Sequence, residues 1–149
     1  MTTEIFNYYK YSENLAAGGQ PTEEQLEQLK HEQIEVIVNI SPVSAKNSLL
    51  YEARFVENLK MEYIHYPIDC SNLKPLQYNI FRSIMNELKD KKVFVHCGGN
   101  IKTSNLLHIY NVLEMNMDEK QSFETLLQIQ KPEEKWFTYF KEMGLNNLN

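Results

Sequence analysis

Three short runs rich in β-branched and aromatic residues, at 34–40, 63–66 and 92–96, most constrain what this chain can fold into. Each has strand length, and the segments between them place apolar residues at helical spacing instead. Ahead of the first run, residues 21–30 put Leu26 and Leu29 on one face, and Thr22 stands three positions before Gln25, the pattern of a capping box. Residues 49–60 carry Leu50, Ala53, Phe55, Val56 and Leu59, and residues 76–88 repeat Leu76, Ile80, Phe81, Ile84 and Leu88. Beyond the third strand, 103–115, 118–130 and 133–143 read as helices, broken at Asn116-Met117 and at Lys131-Pro132. This alternation predicts an α/β fold with a mainly parallel central sheet flanked by helices and joined by right-handed crossovers. Residues 8–11 and 15–17 are expected to add a short antiparallel edge. In such folds functional residues gather beyond the C-terminal ends of the strands, which here means 39–44, 67–72 and 96–104.

Composition narrows the function more than the fold. A length of 149 residues with no repeat or Pro/Gly-rich linker predicts one domain over 1–149. Hydrophobic residues at 42% and charged residues at 23% are ordinary globular usage. A net charge of −5 with scattered basic residues argues against a nucleic-acid partner. No run approaches the ~18 apolar residues of a membrane span, and the N-terminus has no apolar signal core, so a cytoplasmic protein without a membrane partner is expected. Cys70 and Cys97 are too few for a disulfide framework and lack zinc-ligand spacing. What remains open for them is a reactive thiol.

The segment 93–104, Val-Phe-Val-His-Cys-Gly-Gly-Asn-Ile-Lys-Thr-Ser, runs from a buried strand directly into an amphipathic helix. Gly98 and Gly99 permit a tight turn in which backbone N–H groups converge at a helix N-terminus, an anion-binding geometry. The same dipoles favour a thiolate at Cys97 over a thiol. His96 is placed to support the loop from beneath, Lys102 supplies a positive charge, and Ser104 is placed to donate to the sulfur.

The stretch resembles the His-Cys phosphate loop of the protein tyrosine phosphatase superfamily, in its dual-specificity-like branch. It is more similar still to a small bacterial branch with the shortened loop His-Cys-x-x-Asn-x-Arg-x-Ser, related to the phosphatase-like domain of beta-lactamase-hydrolase-like proteins. Ala17-Gly18-Gly19-Gln20-Pro21-Thr22 resembles the Ser-Gly-Gln-Pro segment of that branch, Ile37-Val38-Asn39-Ile40 its Val-Ile-Asn-Leu strand, and residues 62–69 its strand leading to the general-acid loop. Lys131-Pro132 with Trp136 is similar to its C-terminal end, so the resemblance spans about residues 10 to 140 in fragments.

The resemblance implies a cysteine-dependent phosphatase fold without cofactor or metal, acting on a phosphorylated protein or a small phosphomonoester. Cys97 would be the nucleophile, Asp69 the general acid, and Ser104 an aid to thiolate departure. Gly98, Gly99, Asn100, Ile101, Lys102 and Thr103 would hold the phosphate. Where the branch has Arg, however, this sequence has Lys102, and its arginines, Arg54 and Arg82, fall on expected helices away from the loop. A planar bidentate clamp becomes a point charge, a change worth about 3 kcal/mol of transition-state stabilisation by analogy with a lost oxyanion donor. Two alternatives follow: a pseudophosphatase that binds a phosphorylated or anionic partner, and a sulfurtransferase with a persulfide on Cys97. The resemblance also implies a candidate protective disulfide, of the kind some superfamily members form, between Cys97 and Cys70, which stands beside Asp69.

Overall fold

A computed structural model describes residues 4–146. In chain order the elements are β1 (Tyr9–Ser12), β2 (Leu15–Gly18), α1 (Glu23–His31), β3 (Val36–Asn39), α2 (Glu52–Asn58), β4 (Glu62–His65), a 3-10 turn (Cys70–Asn72), α3 (Pro75–Glu87), β5 (Val93–His96), α4 (Ile101–Leu113), α5 (Glu119–Ile129) and α6 (Glu134–Glu142). The five strands form one sheet in the order β1-β2-β5-β3-β4. β1 and β2 pair antiparallel, and the β2–β5, β5–β3 and β3–β4 pairings are parallel.

Register makes this sheet a platform. Gly18 pairs with His96, His96 with Asn39, and Asn39 with His65, so the parallel strands all end at one level. Whatever follows them is delivered to a single rim.

The strands are apolar on both faces because both faces are covered. Successive side chains alternate. Val36, Val38, Val93 and Val95 point into a core with Tyr78, Phe81, Leu106, Ile109, Trp136 and Phe140. Ile37 and Phe94 point the other way, toward Leu26, Leu29, Val56 and Met61. The expected capping box is present: Thr22 Oγ1 accepts from the Gln25 amide at 3.1 Å and Gln25 Oε1 from the Thr22 amide at 2.9 Å.

The structure departs from the sequence reading in four places. First, β1 and β2 form the expected antiparallel pair at the sheet's edge, but β2 also pairs in parallel with β5 and so lies inside the sheet. Second, α2 begins at Glu52 because Tyr51 adopts left-handed backbone at φ 62°, which leaves Leu50 exposed. Third, α3 buries Tyr78, Phe81 and Met85, while Leu76 and Ile80 face outward. A simple apolar count misses that face because it discounts the ring of Tyr78. Fourth, α4 starts at Ile101, immediately after Asn100.

His108 on α4 shows how a polar group is housed in this core. It is 3% exposed, its Nδ1 lies 2.7 Å from Ser122 Oγ, and the Phe140 ring stands 4.9 Å away. Burial pulls its pKa from 6.5 down to about 4. The unfolded chain therefore takes a proton on this ring well before the folded one does. The consequence is stability that is intact above about pH 6.5 and lost as the pH falls toward 4, by on the order of 2–3 kcal/mol. Urea midpoints of the parent and of His108→Gln, compared near pH 7 and near pH 4.5, should show the larger acid loss in the parent.

Candidate active site

The rim formed by the ends of β2, β5 and β3 holds the loop that the sequence singled out. β5 ends at His96, Cys97 is 4% exposed at the floor, and α4 opens at Ile101. The left-handed residue that lets the chain turn is Asn100, at φ 63°, not either glycine. Asn is among the few L-residues that adopt this conformation readily, and its Nδ2 also donates to the Asn7 carbonyl at 2.8 Å.

Successive carbonyls of the loop are each engaged by a hydrogen bond, those of Gly98 and Gly99 from outside it. Cys97 O lies 3.1 Å from His96 Nδ1. Gly98 O accepts from the Gln20 amide and from Asn47 Nδ2, both at 3.0 Å. Gly99 O accepts from Asn7 Nδ2 at 3.0 Å. Asn100 O accepts from Ser104 Oγ at 2.5 Å. Among the described residues the Gly98 and Gly99 amides make no hydrogen bond. With these carbonyls bonded elsewhere, the Gly98 and Gly99 amides and the first turn of α4 are left as unspent donors in the segment that follows Cys97.

The remaining candidates are placed less as expected. The Lys102 ammonium reaches across to the carbonyls of Ile40, at 3.3 Å, and Ile68, tying α4 to the end of β3 and to the segment after β4. Ser104 Oγ gives its hydrogen to Asn100 O and accepts from Gln130 Nε2 at 2.7 Å, so it makes no bond to Cys97. Thr103 is fully buried, and its hydroxyl has no partner among the described residues.

Asp69 is exposed and caps the 3-10 turn, accepting from the Ser71 hydroxyl at 2.7 Å and the Ser71 amide at 2.9 Å. Those bonds, with the charges of Lys102 and Lys135, hold its carboxyl below the usual carboxylate range. Cys70 is half-buried with its thiol pushed up by burial; both cysteines are free thiols.

Several residues at the site carry no sequence signal of their own. Glu52 is 4% exposed, with Oε2 2.7 Å from His96 Nε2 and Oε1 accepting from Gln20 Nε2 at 2.5 Å. On the sequence it is an ordinary acid in the first turn of a helix. Asn7, Asn47 and Gln130 come from segments with no motif. Gln20 alone lies in the quoted Gly-Gln-Pro stretch, and its role as tether emerges only in three dimensions. An apolar cavity of about 360 Å³ lies at the opposite end of the sheet, lined by Tyr9, Tyr11, Met85 and Tyr110 among others, and includes no residue of the loop. No group of three or more His, Cys, Asp or Glu side chains among the described residues is arranged to hold a metal ion.

Residues 6–141 match the family model described as a DSP-PTPase phosphatase fused to NAD+ kinase. The chain belongs to that family. Among solved structures it resembles a DUF442 protein of Shewanella putrefaciens CN-32, with 26% identity, a TM-score of 0.82 and coverage of 95% of this chain and 93% of that one. TpbA of P. aeruginosa, solved with phosphotyrosine as a cysteine-to-serine variant, shares 15% identity over 81% of this chain and 72% of that one, at TM-score 0.66. The catalytic core of the PP-IP phosphatase SIW14 of S. cerevisiae, solved with citrate, shares 11% identity over 97% and 88% of the two chains, at TM-score 0.77. No curated protein matches the chain. The expected α/β fold of the phosphatase superfamily is therefore the one observed, and no helix among the described residues is long and apolar enough to cross a membrane.

The closeness of this family's Gly-Gln-Pro segment to the loop is testable. A Cβ on Gly19 would stand 2.7 Å from Gly98 O, and backbone cannot yield as a side-chain tip does. Gly19→Ala should cost about 1–3 kcal/mol by denaturant melting. Gly99→Ala, whose Cβ would meet only the Phe6 ring at 3.7 Å, should cost far less.

Proposed function

We propose that the chain is a cysteine-dependent phosphomonoesterase. The observation that carries this is that the carbonyls of Cys97, Gly98 and Gly99 are all bonded to side chains, which leaves the backbone amides after Cys97 unspent at a strand-to-helix junction. The Cys97 thiolate attacks phosphorus, forming an S–P bond as the ester P–O bond breaks, and the leaving oxygen takes a proton from Asp69. Water then attacks phosphorus, S–P breaks, and Asp69 accepts the water's proton. The Gly98 to Thr103 backbone and the charge of Lys102 stabilise the equatorial oxygens, and Ser104, fixed by Gln130, steadies the helix start. Substrates are phosphorylated proteins or small phosphomonoesters; the phosphotyrosine in the TpbA complex supports a phosphotyrosine peptide as the first probe.

Two features favour a second reading, a phosphate-binding protein without turnover. Lys102 is engaged by backbone carbonyls, and Asp69 is an ionised cap with no proton to donate until Ser71 releases it. Turnover requires the Asp69 turn to open; binding does not.

Hydrolysis of an aryl phosphate from about pH 5 to 8 separates the readings. A phosphatase loses all activity in Cys97→Ser and most of it in Asp69→Asn, and gains roughly tenfold to a hundredfold in Lys102→Arg as a bidentate clamp is restored. Activity that survives Cys97→Ser overturns the proposal. An inert parent that gains turnover only with arginine establishes the binder.

A further inference from the structure

Behind the loop runs a buried chain of hydrogen bonds whose hydrogens can be counted. His96 Nδ1 faces the Cys97 carbonyl, which only accepts, so Nδ1 carries a hydrogen. Nε2 faces Glu52 Oε2 at 2.7 Å, with one proton between them. The other carboxylate oxygen accepts from Gln20 at 2.5 Å. Asn39 Oδ1 accepts from the Ser41 amide at 2.8 Å, which orients Asn39 so that its Nδ2 donates to Tyr63 Oη at 3.0 Å. The Tyr63 hydroxyl therefore keeps its own hydrogen, and Glu52 is the acid within its reach. A carboxyl surrounded by donors is stabilised as carboxylate, which leaves the shared proton on the imidazole.

We infer that Glu52 and His96 form a buried ion pair whose positive end lies under Cys97, and that Glu52 is thereby a positioning residue that biases the loop toward anions. The inference rests on the reading of Cys97 as the nucleophile of an anion loop. His96 is 0% exposed and Glu52 4%, so the pair acts with little solvent screening. The imidazole bonds the loop directly through the Cys97 carbonyl, whereas the carboxylate reaches it only through His96 and Gln20, so an anion at the sulfur is attracted more than repelled. Gln20 donates through its amide to Gly98 O and through its side chain to Glu52, locking the pair to the loop from the same segment. Among the described residues, Tyr63 from β4 is the titratable group that faces the pair, and Cys97 adjoins it. Burial pushes Tyr63 up to about 12, so it stays neutral through the range of the test.

Glu52→Gln keeps the size and the hydrogen bond but removes the charge, and Glu52→Asp keeps the charge. Alkylation of Cys97 by iodoacetamide, read by peptide mass from about pH 5 to 9 with and without inorganic phosphate, reports thiolate and anion binding directly. In Glu52→Gln the rate near pH 6 should fall roughly five- to tenfold, and the phosphate needed for half-protection should rise by a similar factor. Glu52→Asp should recover part of both. A role confined to stability would lower the melting temperature and leave the pH profile in place, which overturns the inference. Should Glu52→Gln fail to fold, the ¹⁵N shifts of His96 in the parent protein decide: two protonated ring nitrogens support the ion pair, and one bare nitrogen overturns it. Neither readout needs turnover, so an inert parent with a shifted profile in Glu52→Gln contradicts the phosphatase reading and leaves this one standing.

Discussion

The hydrogen bonds that hold the carbonyls of Cys97, Gly98 and Gly99 away from the sulfur are the constraint on which the site depends. A backbone loop that binds an anion must present its amides, and a carbonyl swinging inward would cancel them. His96 holds the Cys97 carbonyl, and the donors to Gly98 O and Gly99 O come from three separate parts of the chain: Asn7 before β1, Gln20 after β2, and Asn47 before α2. Each acts on the loop from outside, and the turn itself is made by the left-handed Asn100. The loop is therefore shaped by the fold around it more than by its own glycines. Gly19 matters for the same reason, since only a residue without Cβ lets the Gly-Gln-Pro strand lie against Gly98.

The parallel register makes that convergence possible. Because Gly18, His96, Asn39 and His65 end level, the segments leaving β2, β3, β4 and β5 share one rim, and the polar links among them are short. Lys102 spans from α4 to the ends of two of these segments, and His65 Nε2 lies 2.6 Å from the Ser41 carbonyl on the same rim. Below the rim the core is apolar on both faces of the sheet, so the buried His96–Glu52 pair lies between a dry interior and the loop. Burying such a pair is favourable only when its remaining hydrogen-bonding positions are met, and Gln20 and Cys97 O meet two of them.

What was legible in the sequence follows from what is local. The β-branched runs, the Thr22 capping box and the strand-to-helix passage through Cys97 are all encoded by neighbours along the chain, and each appears where expected. The errors arose where the decision is tertiary. Residues 15–17 form the expected antiparallel pair with β1, yet they also pair with β5, because the chain returns much later to lie beside them. Leu76 and Ile80 are apolar but outward, since Tyr78 takes the inward face of α3. The loop was found by its motif, whereas Glu52, Asn7 and Asn47 were not. A polar residue that serves a distant carbonyl has no spacing rule. Lys102 was read as a phosphate ligand and Asp69 as the general acid; in the structure the ammonium bonds the Ile40 carbonyl and the carboxylate accepts from Ser71, contacts that no local pattern announces.

The central claim is that Cys97 carries the phosphoryl group. Rapid mixing of the protein with an aryl phosphate, acid quenching within the first turnovers and peptide mass analysis test it directly. The account expects a mass increment of one phosphoryl group on the peptide containing Cys97, labile to reagents that cleave thiophosphate bonds. Hydrolysis that proceeds with no phosphoryl group on Cys97, or with the group on another side chain, would contradict it.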